Sequence, residues 1–134
     1  MARSVEADTA LIVYEKGSPE SERVARLIAE RLESGGRTVL LRASSATAIP
    51  DILSARLYLL GAETAEAASY GEIARVFKGI NLAGRKAAFF GSSGAAVARL
   101  RAMCADTEVS AAHADLVGRR IEGAAVAAWL RGIA

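Results

Sequence analysis

The stretch from Thr9 to Tyr14 is a continuous apolar run, and it passes through a short polar turn into a helix-forming segment at Pro19. Such a run, without polar residues at alternate positions, belongs to a strand covered on both faces. The segment after it carries Val24, Leu27, Ile28 and Leu32 at i, i+3, i+4 and i+8, with Arg23, Arg26, Glu30 and Glu33 turned the other way. Ser34-Gly35-Gly36 ends it, glycine supplying the left-handed residue that a helix ending needs. A buried strand feeding straight into an amphipathic helix points to a sheet with helices packed on its faces.

The alternation recurs along the chain. Thr38 to Leu41 reads as a second short strand, Ser44 to Thr47 as a loop, and Pro50 to Ala55 as a brief helix opened by proline. Leu57 to Gly61 is the third strand, followed by a polar, Ala-rich stretch from Ala62 to Ser69. Gly71 to Lys78 is a helix with Ile73, Val76 and Phe77 on its face. Lys86 to Phe90 is the fourth strand and ends in Gly91-Ser92-Ser93-Gly94. Val97, Leu100, Met103 and Cys104 stripe the next helix. A weaker fifth strand around Val109 to Ala112 precedes a last helix from about Ile121, with Ala125, Ala128 and Trp129 on one side. The pattern gives an α/β fold, a parallel sheet joined by right-handed crossovers. With 134 residues a single domain over 1–134 is expected, its first eight residues polar and frayed.

Composition removes several classes of function. The apolar runs are too short to span a bilayer, and no charged segment followed by an apolar one marks a signal peptide, so a cytoplasmic location is the default. The lone cysteine, Cys104, allows no internal disulfide and makes a cysteine-built metal site a poor reading. The net charge is +2, but the basic residues are scattered and not interleaved with aromatics, which argues against nucleic-acid binding. No G-x-G-x-x-G follows the first strand and no G-x-x-x-x-G-K-[ST] occurs, leaving dinucleotide and nucleoside-triphosphate sites unsupported. Ser92 and His113 lack a G-x-S-x-G context for hydrolysis. A phosphoacceptor receiver would need an aspartate after the third strand, where Gly61-Ala62-Glu63 stands.

Three passages carry a family resemblance. Val13-Tyr14, a hydroxyl-bearing turn and Glu22-Arg23-Val24-Ala25 resemble the first strand, phosphate loop and first helix of the flavodoxins. Leu59-Leu60-Gly61 resembles their third strand, and Leu82-Ala83-Gly84-Arg85-Lys86-Ala87-Ala88-Phe89-Phe90-Gly91-Ser92 resembles their "l-x-G-K-x-x-a-x-F-G-s" passage, especially in flavo-diiron proteins. The resemblance covers roughly Thr9 to Ile133. It implies a three-layer sandwich with a five-stranded parallel sheet in the order 2-1-3-4-5. The chain length implies the short form, without the insertion that splits the last strand. It also implies electron transfer through non-covalently bound flavin mononucleotide (FMN), with a redox partner protein, rather than conversion of a substrate.

The family's phosphate loop resembles T-x-T-G-x-T, which falls here on Lys16-Gly17-Ser18-Pro19-Glu20-Ser21. Ser18 and Ser21 keep two hydroxyls, and Lys16 offers a cation where the first hydroxyl would stand. Pro19 has no N–H to give a phosphate oxygen, while Glu15 and Glu20 bring negative charge to it. One carboxylate about 5 Å from a phosphate charge, at an effective dielectric near 20, costs about 3 kcal/mol, or a hundredfold in affinity. The resemblance assigns the two ring-flanking loops to Ala62, Glu63, Thr64 and Tyr70, and to Ser92, Ser93 and Gly94. The same residues also read as a helix start that satisfies itself, Ser18 as N-cap, Pro19 at the first position and Glu20 in the first turn. The alternative that follows is a flavin-free flavodoxin-like domain serving as a scaffold or interaction module.

Overall fold

The structure, a computed structural model, describes residues 9–64 and 68–133. The expected fraying of residues 1–8, and the part of the Ala62–Ser69 stretch at 65–67, lie outside the described residues. Strand β1 (Thr9–Tyr14) leads to α1 (Pro19–Ser34), β2 (Thr38–Ala43), a 3-10 turn (Ser44–Ala46) and α2 (Ile49–Ser54). Then come β3 (Leu57–Ala62), a second 3-10 turn (Ala68–Tyr70), α3 (Gly71–Gly79), β4 (Lys86–Gly91) and α4 (Gly94–Cys104). Two short strands, β5 (Ser110–Ala111) and β6 (Leu116–Val117), precede α5 (Gly123–Ile133).

The sheet is parallel in the order β2-β1-β3-β4-β5, with β6 also paired to β4. Side chains alternate between two cores. Leu11, Val13, Tyr58, Leu60, Ala87 and Phe89 face α2, α3 and α4; Ala10, Ile12, Leu57, Leu59, Ala88 and Phe90 face α1 and α5. Every residue of β3 is buried, which is why it reads as an unbroken apolar run. Two glycines are set by close approach. A Cβ on Gly61 would stand 2.1 Å from the Phe90 ring, and one on Gly91 would stand 2.4 Å from the Ala62 carbonyl oxygen.

Two expectations are corrected. The fifth strand forms inside the expected 109–112 as β5, but a further strand, β6, follows it, and the two pair with different parts of β4 on either side of residues 112–115. There Arg101 donates to the Ala112 carbonyl (2.7 Å) and binds Asp115, and the Trp129 indole N–H donates to the Ala114 carbonyl (3.0 Å). Side chains take over acceptors that a continuous strand would offer to a neighbour. On α5 the buried face is Val126, Trp129, Leu130 and Ile133, whereas Ala125 and Ala128 are exposed; the larger side chains set the phase of the helix. Among the described residues no helix is long and apolar enough to cross a membrane, and no group of His, Cys, Asp and Glu could hold a metal ion.

Candidate functional site

In an open parallel sheet the strand order reverses between β1 and β3, and ligands of such folds bind beyond the carboxyl ends of the strands at that point. A shallow crevice lies there, with about 190 Å³ of empty space that is partly open to solvent. It is lined by Glu20 and Ser21 of α1, Ala62 and Glu63 after β3, Gly91 and Ser92 after β4, and Gly118 and Ile121 from the last loop. Five of the residues assigned from the sequence therefore meet at one place: Glu20, Ser21, Ala62, Glu63 and Ser92.

The turn from Glu15 to Ser21 is built to start a helix. Ser18 is the N-cap, its Oγ accepting from the Ser21 N–H at 3.1 Å, and Pro19 follows it. Gly17 takes φ +81°, the left-handed turn that lets the chain double back. The loop amides are then consumed one after another. Glu15 N–H donates to Ser21 Oγ (3.0 Å), Lys16 N–H to Ser44 Oγ (3.0 Å), Ser18 N–H to the Glu15 carbonyl (3.1 Å), and Glu22 N–H to the Ser18 carbonyl (3.1 Å). Pro19 has none to give, so only the N–H groups of Gly17 and Glu20 lack an acceptor among the described residues.

The other loops are tied to this turn and to each other. The buried Glu15 carboxylate accepts from Thr64 Oγ1 (2.9 Å) and Thr64 N–H (3.3 Å), bridging the ends of β1 and β3. Ser44 Oγ also pairs with Ser69 Oγ, and Ser92 Oγ donates to the Glu63 carbonyl at 3.2 Å. Ser93 is the N-cap of α4, accepting from Ala96 N–H at 3.2 Å, and Gly94 is exposed at its start.

Glu20 is not laid over the loop amides. It forms a two-pronged ion pair with Arg23, Nε to Oε1 at 2.8 Å and Nη2 to Oε2 at 2.6 Å, and Nη2 also donates to the Ile121 carbonyl at 2.7 Å. The Arg23 hydrogen bond holds the Glu20 carboxyl below its ordinary pKa, with partial burial opposing it. The repulsion expected from Glu20 is therefore largely neutralised by its own helix.

Tyr70 departs from its expected place. Its ring is 3% exposed and sits in the core with Ile73 and Phe77, so it presents no face to the crevice. Its hydroxyl donates to the Gly61 carbonyl (2.7 Å), lies 3.1 Å from the Val13 carbonyl, and accepts from Gly61 N–H (3.1 Å). The last residue pair of β1 and β3 is Val13 with Leu60, so this hydroxyl fills the gap where the two strands part. Burial pushes its pKa well above the ordinary value, the Gly61 hydrogen bond offsetting part of that. The sequence did not mark Ser44, Arg23, Gly118 or Ile121 as parts of this end. Ser44 was the most accessible of them, a polar residue directly after a strand whose neighbours end at the same edge.

These residues do not fit FMN as they stand. A site for such a ligand usually offers aromatic faces for its ring. Among the described residues the one aromatic lining the crevice is Phe90 at 1% exposure, and apart from Gly17 and Glu20 the loop's amides face its own oxygens and Ser44.

No family model matches the sequence, and no curated protein matches it significantly. Solved structures do share its shape. Oxidised flavodoxin 2 from Bacillus cereus is 19% identical over 92% of this chain and 96% of its own, with a TM-score of 0.78. A short-chain flavodoxin associated with a non-canonical PDU bacterial microcompartment is 18% identical over 93% and 95%, with a TM-score of 0.79. A flavo di-iron protein variant from Thermotoga maritima is 15% identical over 92% of this chain and 34% of its own, with a TM-score of 0.74. The parallel sheet, its strand order and the end-to-end match with these structures agree: the chain has the flavodoxin fold.

Proposed function

We propose that this chain works as a flavodoxin-like domain without a bound flavin, as a protein-association module. One observation carries the reading: apart from Gly17 and Glu20, the amides of the 15–22 turn are bonded to Ser18, Ser21, Ser44 and the turn's own carbonyls rather than left for a phosphate. A surface suited to association supports it. Ile49 and Leu53 on α2 are 49% and 41% exposed, one helical turn apart beside the exposed Pro50, and α2 follows β2, an edge strand of the sheet among the described residues. Titrating the purified protein against FMN fluorescence tests the first half. No quenching at ~100 µM protein is the expected outcome, and quenching with a sub-micromolar dissociation constant overturns it.

Electron transfer through non-covalently bound FMN, with a redox partner protein, is the second reading. What favours it is the Glu20–Arg23 pair, which holds the carboxylate on its own helix, while Lys16 in the turn is exposed and the Gly17 and Glu20 amides have no acceptor among the described residues. FMN entry would require Ser44 to release the Lys16 amide and Ser21 the Glu15 amide. Pro19→Gly with Glu20→Asn separates the two readings, because it adds an amide and frees the Arg23 charge. Under the first reading the variant still binds no FMN; under the second, affinity rises about tenfold or more.

A further inference from the structure

The opposite end of the sheet carries charge that no ion pair matches among the described residues. β3 and β4 start side by side with Leu57 opposite Lys86, so Arg56 and Arg85 sit next to each other just before them. The Lys86 N–H donates to the Arg56 carbonyl at 3.1 Å, and the Ser110 N–H donates to the Arg85 carbonyl at 2.9 Å, fixing both residues on the frame. The Arg56 guanidinium lies over the turn at Gly84, its Nη1 3.6 Å from where a Cβ would stand.

Arg85 is the unusual member. Its Nε and Nη1 are buried, and neither has a hydrogen-bond partner. The Tyr58 hydroxyl on the same face of the sheet gives its own proton to the Ile52 carbonyl at 2.7 Å. Burial raises the pKa of that hydroxyl, while the charge of Arg85, a hydrogen bond from its guanidinium and the charge of Arg56 pull it back. Among the described residues no carboxylate pairs with Arg56, Arg85 or Lys86.

Buried donors without acceptors are rare in folded proteins, and they mark places that an ion or a water completes. Two adjacent guanidiniums on one face of the sheet also repel one another unless an anion joins them. We propose that Arg85 and Arg56 form a binding site for a phosphate-type dianion at the amino-terminal end of β3 and β4. A carboxylate brings one charge to this group; a phosphate or phosphate monoester brings close to two, with oxygens enough for two guanidinium forks. The site is at the far end of the strands from the 15–21 turn, so it stands or falls independently of the flavin question.

The full-length protein, labelled with 15N, is titrated at pH 7.5 and constant ionic strength with inorganic phosphate, with O-phosphoserine and with acetate. Saturable shifts at the Gly84 and Lys86 amides and the Arg85 Nε–H are expected with the two phosphates. Arg56→Met, an exposed position that leaves the core untouched, weakens the affinity about tenfold, and Arg85→Met abolishes the response. Tighter saturation by O-phosphoserine assigns a monoester, and tighter saturation by inorganic phosphate assigns the free ion. Shifts that never saturate, that acetate reproduces, that survive Arg56→Met, or that fall only on Lys16 to Ser21 overturn the proposal.

Discussion

The two ends of this sheet solve the same problem in opposite ways. At the carboxyl ends of the strands, Glu15, Ser18, Ser21, Ser44, Thr64, Ser92 and Tyr70 pair the loops with one another and use up most of the donors there. At the amino ends, Arg56 and Arg85 stand side by side, and among the described residues no carboxylate is ion-paired with either. The difference teaches that the fold's usual ligand-binding end can be sealed from within, while an unmatched charge remains elsewhere. Polar groups that satisfy each other stabilise; polar groups left unmet await something else.

If the sealed end is as tightly built as its contacts imply, changes there should cost most. The largest effect is expected from Gly61→Val, whose added carbons would overlap the buried Phe90 ring: a loss of about 3 kcal/mol in denaturant unfolding. A loss under about 1 kcal/mol would mean that the ring moves aside freely. Tyr70→Phe keeps the ring but strips the hydroxyl from between β1 and β3, leaving the Gly61 N–H without its acceptor. That should cost about 1–3 kcal/mol and speed hydrogen exchange at Gly61.

The other end should respond with the reverse sign. Arg85→Met retains the aliphatic stem and removes the unpartnered nitrogens, so in phosphate-free buffer it should raise stability by up to about 1 kcal/mol. A clear loss in the same unfolding measurement would show that Arg85 has an internal partner.

The smallest effect belongs to the Glu20–Arg23 pair, which is partly exposed on the rim of the sealed end. The folded pKa of Glu20 lies below its ordinary value of 4.5, so its contribution is full above that value and is lost as pH falls through the folded pKa. Comparing wild type with Glu20→Gln at pH 6 and pH 3 should show a gap of a few tenths of a kcal/mol that closes at the lower pH and in high salt. A gap that widens on acidification would reverse the sign of this linkage.

Much of the frame was legible because burial on both faces leaves a strong mark. The runs at Thr9–Tyr14 and Leu57–Gly61 became the two central strands, and the stripe Val24, Ile28 and Leu32 became the buried side of α1. Gly61 was visible as a strand ending, but its cause, the Phe90 ring on the neighbouring strand, depends on a pairing between residues about thirty positions apart. Ser18 and Pro19 announced a helix start from local chemistry alone. Tyr70 was misplaced because an aromatic at an element boundary can turn either way, and only the gap between β1 and β3 settles which.

From the order of its residues alone, this chain determined an alternating α/β architecture, the bulk of its core and the start of its first helix. Each follows from periodicity or from groups a few positions apart. Which donors remain open to a ligand was decided only when the loops met. Glu15 finds Thr64 across 49 positions, Lys16 finds Ser44 across 28, and Tyr70 reaches Val13 across 57. Hydrogen-bond satisfaction is a property of assembled neighbours, and no local pattern encodes it.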